Sequence, residues 1–340
     1  MDTLAIIRDK AERLAQLLPK SGIMFVVRHI ELAERHFDVA RRDAESDLFV
    51  DVVYRANHAF EGILREAYAI LAGQDSSGKS AFEIEKYLSK NGVFKDRVME
   101  LFTNYRSKWR NPSTHDHVAT FSESEAFLAI LSVTSFSGIL MDQMIARLAF
   151  EQQQRLLAIR TDELRNVITQ HSSEPLLDRV AYLLQTFSAG QLLPAANTEV
   201  ELVAAVRAFL GTVEPNVELV QEPILRDSMG SLRPDLLVRQ GEETIVVELK
   251  RYRRWSPDNQ RAASDQVRRY VDAAQAVGGI LVLFPTEDAV QTDERHDTVL
   301  AQIIEGEKMI VTVRIRPRPK AVQPSDPPDL AHKATQDRRS

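Results

Sequence analysis

From residue 4 to about residue 187 the apolar residues recur at three- and four-residue spacing, and few segments alternate with period two. That spacing gathers apolar side chains on one stripe of a helix. It predicts helices over 4–18, 23–42, 47–72, 80–90, 93–110, 122–150, 153–170 and 175–187. Ser122, three residues before Glu125, has the form of a capping box. Beyond residue 195 the texture changes. A helix with Thr198 as N-cap is followed by strands over 217–225, 234–239 and 244–252. A helix over 264–277 comes next, ended by Gly278-Gly279 as a C-cap. A buried strand over 278–285, a helix near 293–304 and a last strand over 309–316 complete the order.

This pattern predicts two domains: an all-α helical bundle over 1–150 and an α/β sandwich over 196–316, joined by a helical linker over 151–195. Prolines at 317, 319, 324, 327 and 328 mark 317–340 as a disordered tail. A length of 340 residues suits two domains of ordinary size. The start carries Asp2, Arg8, Asp9 and Lys10, unlike a signal peptide, and the sequence shows no obvious spanning stretch. A cytoplasmic protein without a membrane partner is expected.

Composition narrows the chemistry. The chain has no cysteine, which excludes disulfides, thiolate zinc sites and cysteine nucleophiles. The net charge of −6 excludes a globally basic coat, so any nucleic-acid contact must rest on local patches.

The most informative stretch is Pro234-Asp235 followed by Glu248-Leu249-Lys250. Strand alternation puts Val246, Glu248 and Lys250 on one face and Ile245, Val247 and Leu249 on the other. An acid and a lysine on an otherwise apolar strand face are costly unless paired or functional. A short turn would fold Asp235 back beside them. Carboxylate oxygens suit Mg²⁺, and a lysine nearby can offset phosphate charge or orient a water. On the preceding helix, Glu199 falls on the stripe of Leu202, Val203, Val206 and Leu210, whereas Glu201 falls opposite and is expected in solvent. Gln266 and Tyr270 share a helix face at i,i+4. An exposed edge strand with a surface ion pair would also give Glu-x-Lys.

Asp235, Glu248-x-Lys250 and Gln266-x-x-x-Tyr270, in this order of elements, resemble the PD-(D/E)XK nuclease superfamily, in particular its RecB-like branch with a QxxxY motif. The resemblance covers residues 196–316. It implies Mg²⁺ or Mn²⁺ as cofactor, with Asp235, Glu248 and the Leu249 backbone carbonyl as ligands and Glu199 in the first-helix acid role. Lys250 would assist the water, and Gln266 and Tyr270 would orient substrate or Lys250. It further implies hydrolysis of phosphodiester bonds, in DNA first and RNA second. Beside the motif, Arg251, Tyr252, Arg253, Arg254 and Trp255, with Arg261, Arg268 and Arg269, read as a phosphate-binding and base-stacking patch. A solvated loop balanced by Asp258 and Asp265 is the other reading.

In the helical half, Arg110-Asn111-Pro112-Ser113-Thr114-His115 breaks two helical patterns. An Arg followed five residues later by His, in an all-helical context, resembles the HEPN domain, a family that includes metal-independent ribonucleases working as dimers. There His115 would be the acid or base, Arg110 would stabilise phosphate and Asn111 would position. Arg110 with His117, and Arg165-Asn166 with His171, fit the same loose spacing, and the stretch also suits a plain helix–helix turn. The two resemblances together imply a homodimer through the helical half, a possible activating partner, and a role in bacterial defence against phage or plasmids. Two rivals stand beside the metal-dependent nuclease. One is a HEPN ribonuclease whose C-terminal half holds nucleic acid; the other is a non-catalytic nucleic-acid-binding regulator.

Two other features read as structural. Gly73 to Ser80 spells a P-loop, but the segment before it has helical spacing where a P-loop needs a strand. His29 and His36 share a helix face without an obvious third ligand.

Overall fold

A computed structural model describes residues 2–94, 96–111, 113, 120–160, 164, 171, 173–189, 198–252, 256–286, 301–305 and 308–314. The chain divides into two units: Met1–Thr161 with Val200–Thr212, and Asp162–Glu199 with Val213–Ser340. The division differs from a boundary at 196. Residues 162–199 group with the strands, and the body of the following helix groups with the bundle.

The first unit contains α1 (Thr3–Leu17), α2 (Ile23–Asp43), α3 (Leu48–Leu71), α4 (Ala81–Lys90), α5 (Asp96–Tyr105) and α6 (Glu123–Ile159). Asp2 caps α1 by accepting the Ala5 N–H at 3.0 Å. Ser80 with Glu83 and Ser122 with Glu125 form reciprocal capping boxes at the starts of α4 and α6. The helices expected over 122–150 and 153–170 run together as α6 up to Ile159, since 151–159 holds neither Gly nor Pro to stop it. The expected 93–110 helix becomes α5 followed by one π-helical turn, Arg106–Arg110. Phe60 stacks on Tyr105 at 4.6 Å and meets Phe136 at 5.1 Å, so an aromatic cluster ties α3, α5 and α6 together. Among the described residues α6 is the one helix long and apolar enough to cross a membrane, contrary to the sequence expectation. More than half (56%) of its apolar window is buried inside the bundle.

The Gly73–Ser80 segment links α3 to α4, with a helix before it as the spacing predicts. Gly73 and Gly78 take positive φ (62° and 71°), and Ser80 caps α4.

Two further helices are α7 (Leu176–Ala189) and α8 (Glu199–Val213). The strands follow: β1 (Glu218–Gln221), β2 (Leu225–Asp227), β3 (Gly230–Leu232), β4 (Leu236–Gln240) and β5 (Glu243–Tyr252). Helix α9 (Pro257–Ala273) precedes β6 (Gly278–Pro285), β7 (Ala301–Glu305) and β8 (Lys308–Arg314). A six-stranded mixed sheet has the order β1-β4-β5-β6-β8-β7, and β2 and β3 form a separate two-stranded sheet. β1–β4, β4–β5 and β7–β8 are antiparallel; β5–β6 and β6–β8 are parallel. The chain is therefore a helical unit plus an α/β unit.

Three local expectations are corrected. The strand expected over 217–225 stops at Gln221, where Glu222 turns to φ 48°, and a separate β2–β3 hairpin follows. The helix expected near 293–304 is strand β7 over Ala301–Glu305; its earlier part lies outside the described residues. Gly278-Gly279 is not a C-cap. α9 ends in a Schellman motif with Gln275 at φ 53°: Gln275 N–H donates to Asp272 O at 3.1 Å and Ala276 N–H to Val271 O at 2.9 Å. The two glycines open β6, where helices press from both sides. A Cβ on Gly278 would stand 2.7 Å from Leu177 Cδ2 of α7, and one on Gly279 would stand 2.5 Å from Val267 Cγ1 of α9. α9 thus covers the face of Leu237, Val246, Leu281 and Leu283, and α7 the other.

The β4–β5 hairpin turns through Gly241 at φ 60°. Its turn end is locked by Arg179 of α7, 6% exposed. The guanidinium donates to Glu214 at 2.8 Å, to the Glu174 carbonyl at 2.9 Å and to Gln240. Glu243 accepts the Leu176 N–H at 3.1 Å, filling an open donor at the start of α7.

Candidate functional site

At the opposite end of the β4–β5 hairpin the pairing stops at Leu236↔Val247, and the strands splay around two acids. Asp235 and Glu248 hold each other through the backbone. Asp235 N–H donates to Glu248 Oε2 at 3.1 Å, and Leu249 N–H donates to Asp235 Oδ2 at 2.7 Å. Lys250 donates from Nζ to Glu248 Oε1 at 2.6 Å. Glu248 is 3% exposed. Strand alternation places Glu248 and Lys250 on the face of Val246, the face α9 covers. In an extended strand a residue's N–H and C=O point to the same side. The Leu249 carbonyl is thus directed to the edge where its N–H meets Asp235, past the last β4–β5 rung.

The electrostatics are unbalanced. The Asp235 carboxyl is pushed up to about 8, first by burial and then by the Glu248 charge. Burial alone would lower Lys250, but the bond to Glu248 and the charges of Glu248, Asp235 and Glu199 outweigh it and raise it. Lys250 is therefore a firmly protonated donor near neutral pH.

Glu199 and Glu201 exchange the roles expected of them. Glu201 is 2% exposed and receives the Arg13 guanidinium, with Nε at 2.7 Å. The reason is that α8 is enclosed almost all round, with Leu202–Val206 and Ala208–Leu210 buried; a helix without a solvent side defeats the one-stripe rule. Glu199 keeps solvent access at the start of α8, so it does not sit on a buried stripe. It still lies among the site charges. Protein crowding around its carboxyl raises its pKa; Lys250 opposes this, Glu248 adds to it, and Arg251 opposes it through its charge and its backbone N–H.

Gln266 and Tyr270 are joined directly, Gln266 Nε2 donating to the Tyr270 hydroxyl at 2.5 Å. Tyr270 is buried in the cluster that holds Val246 and Leu281. The structure thus brings Gln266, Tyr270, Glu248 and Lys250 to one face of the sheet. Of the basic patch, Arg251 and Arg261 are exposed. Arg268 lies 3.4 Å from Asp265 and Arg269 bonds Asp227 at 2.8 Å, so both already have carboxylate partners. Arg253, Arg254 and Trp255 lie outside the described residues.

In the helical unit, Arg110 ends the π turn. Its guanidinium donates to Asn111 Oδ1 at 3.3 Å and lies 3.6 Å from Glu61. His115 and His117 lie outside the described residues. Beneath the turn runs a polar chain that the sequence did not disclose: Tyr105 OH donates to Asn57 Oδ1 at 2.9 Å, Asn57 donates to Ser113 Oγ, and Ser113 Oγ donates to the Trp109 carbonyl at 2.8 Å. Glu85 is buried nearby, 4.0 Å from Arg106, and burial raises its pKa against the pull of Arg110 and Arg106. His29 stacks on His58 at 5.2 Å, a packing arrangement.

Hard oxygen donors, surplus negative charge and a raised Asp235 pKa fit a divalent cation. Among the described residues no three His, Asp or Glu side chains form a metal cage. Mg²⁺ needs only one or two carboxylates, with waters and substrate phosphate completing its shell.

No protein-family model matches the chain, and no curated protein matches it. Among solved structures it is similar to a chain in a half-complex from the tetradecameric assembly of Thermococcus gammatolerans McrB AAA+ hexamers with bound McrC. That likeness has 18% identity over 34% of this chain and 27% of the other, with a TM-score of 0.27.

Proposed function

We propose that the α/β unit is a metal-dependent nuclease of PD-(D/E)XK type that hydrolyses phosphodiester bonds, with DNA the first substrate. The observation that carries this reading is the Asp235–Glu248–Lys250 cluster: Glu248 held by the Asp235 backbone amide, Asp235 held by the Leu249 backbone amide, and a charged lysine bonded to Glu248. Asp235, Glu248 and the Leu249 carbonyl would hold Mg²⁺ or Mn²⁺, with Glu199 close enough to add charge. When bound, the cation supplies a water of lowered pKa and positive charge facing the scissile phosphate.

The chain's own residues do the rest. Lys250, held protonated at Nζ, donates to a phosphate oxygen or steadies the attacking water. It does not act as the base, since its pKa is raised rather than lowered. Glu248 anchors Lys250 and fixes the Asp235 backbone. The Gln266–Tyr270 pair presents an amide and a hydroxyl on the same face for orientation.

The deciding experiment incubates the protein with plasmid DNA, single-stranded DNA and RNA in Mg²⁺, Mn²⁺ or EDTA, beside Lys250→Ala and His115→Ala. Metal-dependent DNA loss abolished only by Lys250→Ala supports the reading. EDTA-resistant RNA cleavage abolished by His115→Ala would transfer the activity to the helical unit. Saturable binding without cleavage under any condition would favour a regulator.

A further inference from the structure

Among the described residues the strands of the β2–β3 hairpin pair only with each other, outside the six-stranded sheet. A lone two-stranded hairpin is marginal in water, yet this one is firmly mounted. Its cross-strand partners Leu225 and Leu232 pack on the cluster of Val267, Tyr270 and Val246. Asp227 binds Arg269 of α9 at 2.8 Å. The turn is fixed too: Asp227 Oδ1 accepts the Met229 N–H at 2.8 Å, and Gly230 takes φ 135°. What this mount presents is Met229, 80% exposed at the tip. On the face turned away from α9 the exposed Arg226 stands opposite Ser231.

The hairpin is also spliced into the candidate site. It leaves from Glu222, whose N–H donates to the Asp235 carbonyl at 3.0 Å, and its last residue, Leu232, lies three positions before Asp235. An exposed apolar tip with the cation Arg226 beside it, on a hairpin rooted next to the proposed phosphate site, matches duplex nucleic acid. Apolar side chains wedge between stacked base pairs and cations meet the backbone. Methionine has no flat face on which an unpaired base would stack, which speaks against a single strand.

We infer that the β2–β3 hairpin is a duplex-DNA finger: Arg226 meets the phosphate backbone and Met229 enters a base step beside the bond to be cut. The inference rests on the nuclease reading and specifies its substrate as double-stranded. The test uses the full chain, a duplex carrying 2-aminopurine, and Ca²⁺ in place of Mg²⁺. Wild type should raise the fluorescence as the step opens. Met229→Ser should abolish the rise and weaken duplex binding roughly tenfold, with an unchanged melting temperature, whereas Met229→Leu should keep both signals. Duplex binding in Ca²⁺ with no fluorescence change but cleavage in a parallel Mg²⁺ reaction, a rise that survives Met229→Ser, or a preference for single strands would overturn the finger and leave the nuclease intact. A wild-type protein that neither binds nor cuts any nucleic acid would overturn both.

Discussion

The β4–β5 hairpin carries buried charge at both ends, and the two ends differ in balance. At the turn, Arg179 meets Glu214 and donates one further bond each to Gln240 and the Glu174 carbonyl. One positive charge faces one negative charge. At the open end, three acids, Asp235, Glu248 and Glu199, face Lys250, with Arg251 acting only on Glu199, and the Asp235 carboxyl resists ionisation. Each cluster holds a buried carboxylate, Glu214 in one and Glu248 in the other, of the kind that folding alone seldom favours. The balanced one joins a helix to the sheet, whereas the unbalanced one keeps surplus negative charge, which the proposed cation would offset. Buried charge marks a candidate site here through its imbalance, not through its burial.

That contrast can be broken by mutation. The largest effect should come from Glu248→Gln, which keeps the shape but removes the charge: DNA cleavage should fall at least about a hundredfold with an unchanged circular dichroism spectrum. Arg179→Ala should do the reverse. It strands Glu214 in the interior and should cost about 3–5 kcal/mol of stability, read by urea unfolding. Gly279→Ala should cost about 1–3 kcal/mol in the same measurement, because its Cβ would press on Val267 and Val271 of α9.

A pH series sharpens the comparison further. Asp235 titrates near 8 in the folded protein against about 3.9 in an unfolded chain, so the folded state holds the extra proton. In EDTA the Asp235 contribution to stability should be present below about pH 4 and lost as pH rises through 8. Asp235→Asn should flatten that slope in melting-temperature scans, and Mg²⁺ should stabilise wild type more at pH 8 than at pH 6. The smallest effects belong to Arg268→Ala and Arg269→Ala. Their ion pairs are partly exposed and should contribute at most about 1 kcal/mol each. If they also meet phosphate, each should reduce the salt slope of DNA binding by about one.

The sequence made some of this architecture readable and hid the rest for identifiable reasons. Local rules worked where a few neighbouring residues decide the outcome: the capping box at Ser122, the alternation along β5, and the i,i+4 pairing of Gln266 with Tyr270. They failed where a distant element decides. The helical stripe alone puts Glu201 in solvent, because its partner, Arg13, lies 188 positions away. Gly278-Gly279 read as a helix stop, although its small size answers to side chains arriving from α7 and α9. Arg179 and Glu214, separated by 35 positions, gave no motif at all. The β2–β3 hairpin escaped notice because three-residue strands are too short to show a period.

The spacing of the acid pair has a kinetic consequence. Asp235 and Glu248 lie 13 positions apart across one tight turn, so little chain entropy is lost in bringing them together. Hairpins of this kind close in roughly 1–10 μs, well ahead of parallel pairings such as β5–β6, which await a crossover. The two acids would therefore meet early on the folding route, before β6 docks. An early-formed centre of like charge is a repulsive nucleus, and divalent cations should speed refolding as well as stabilise the finished protein.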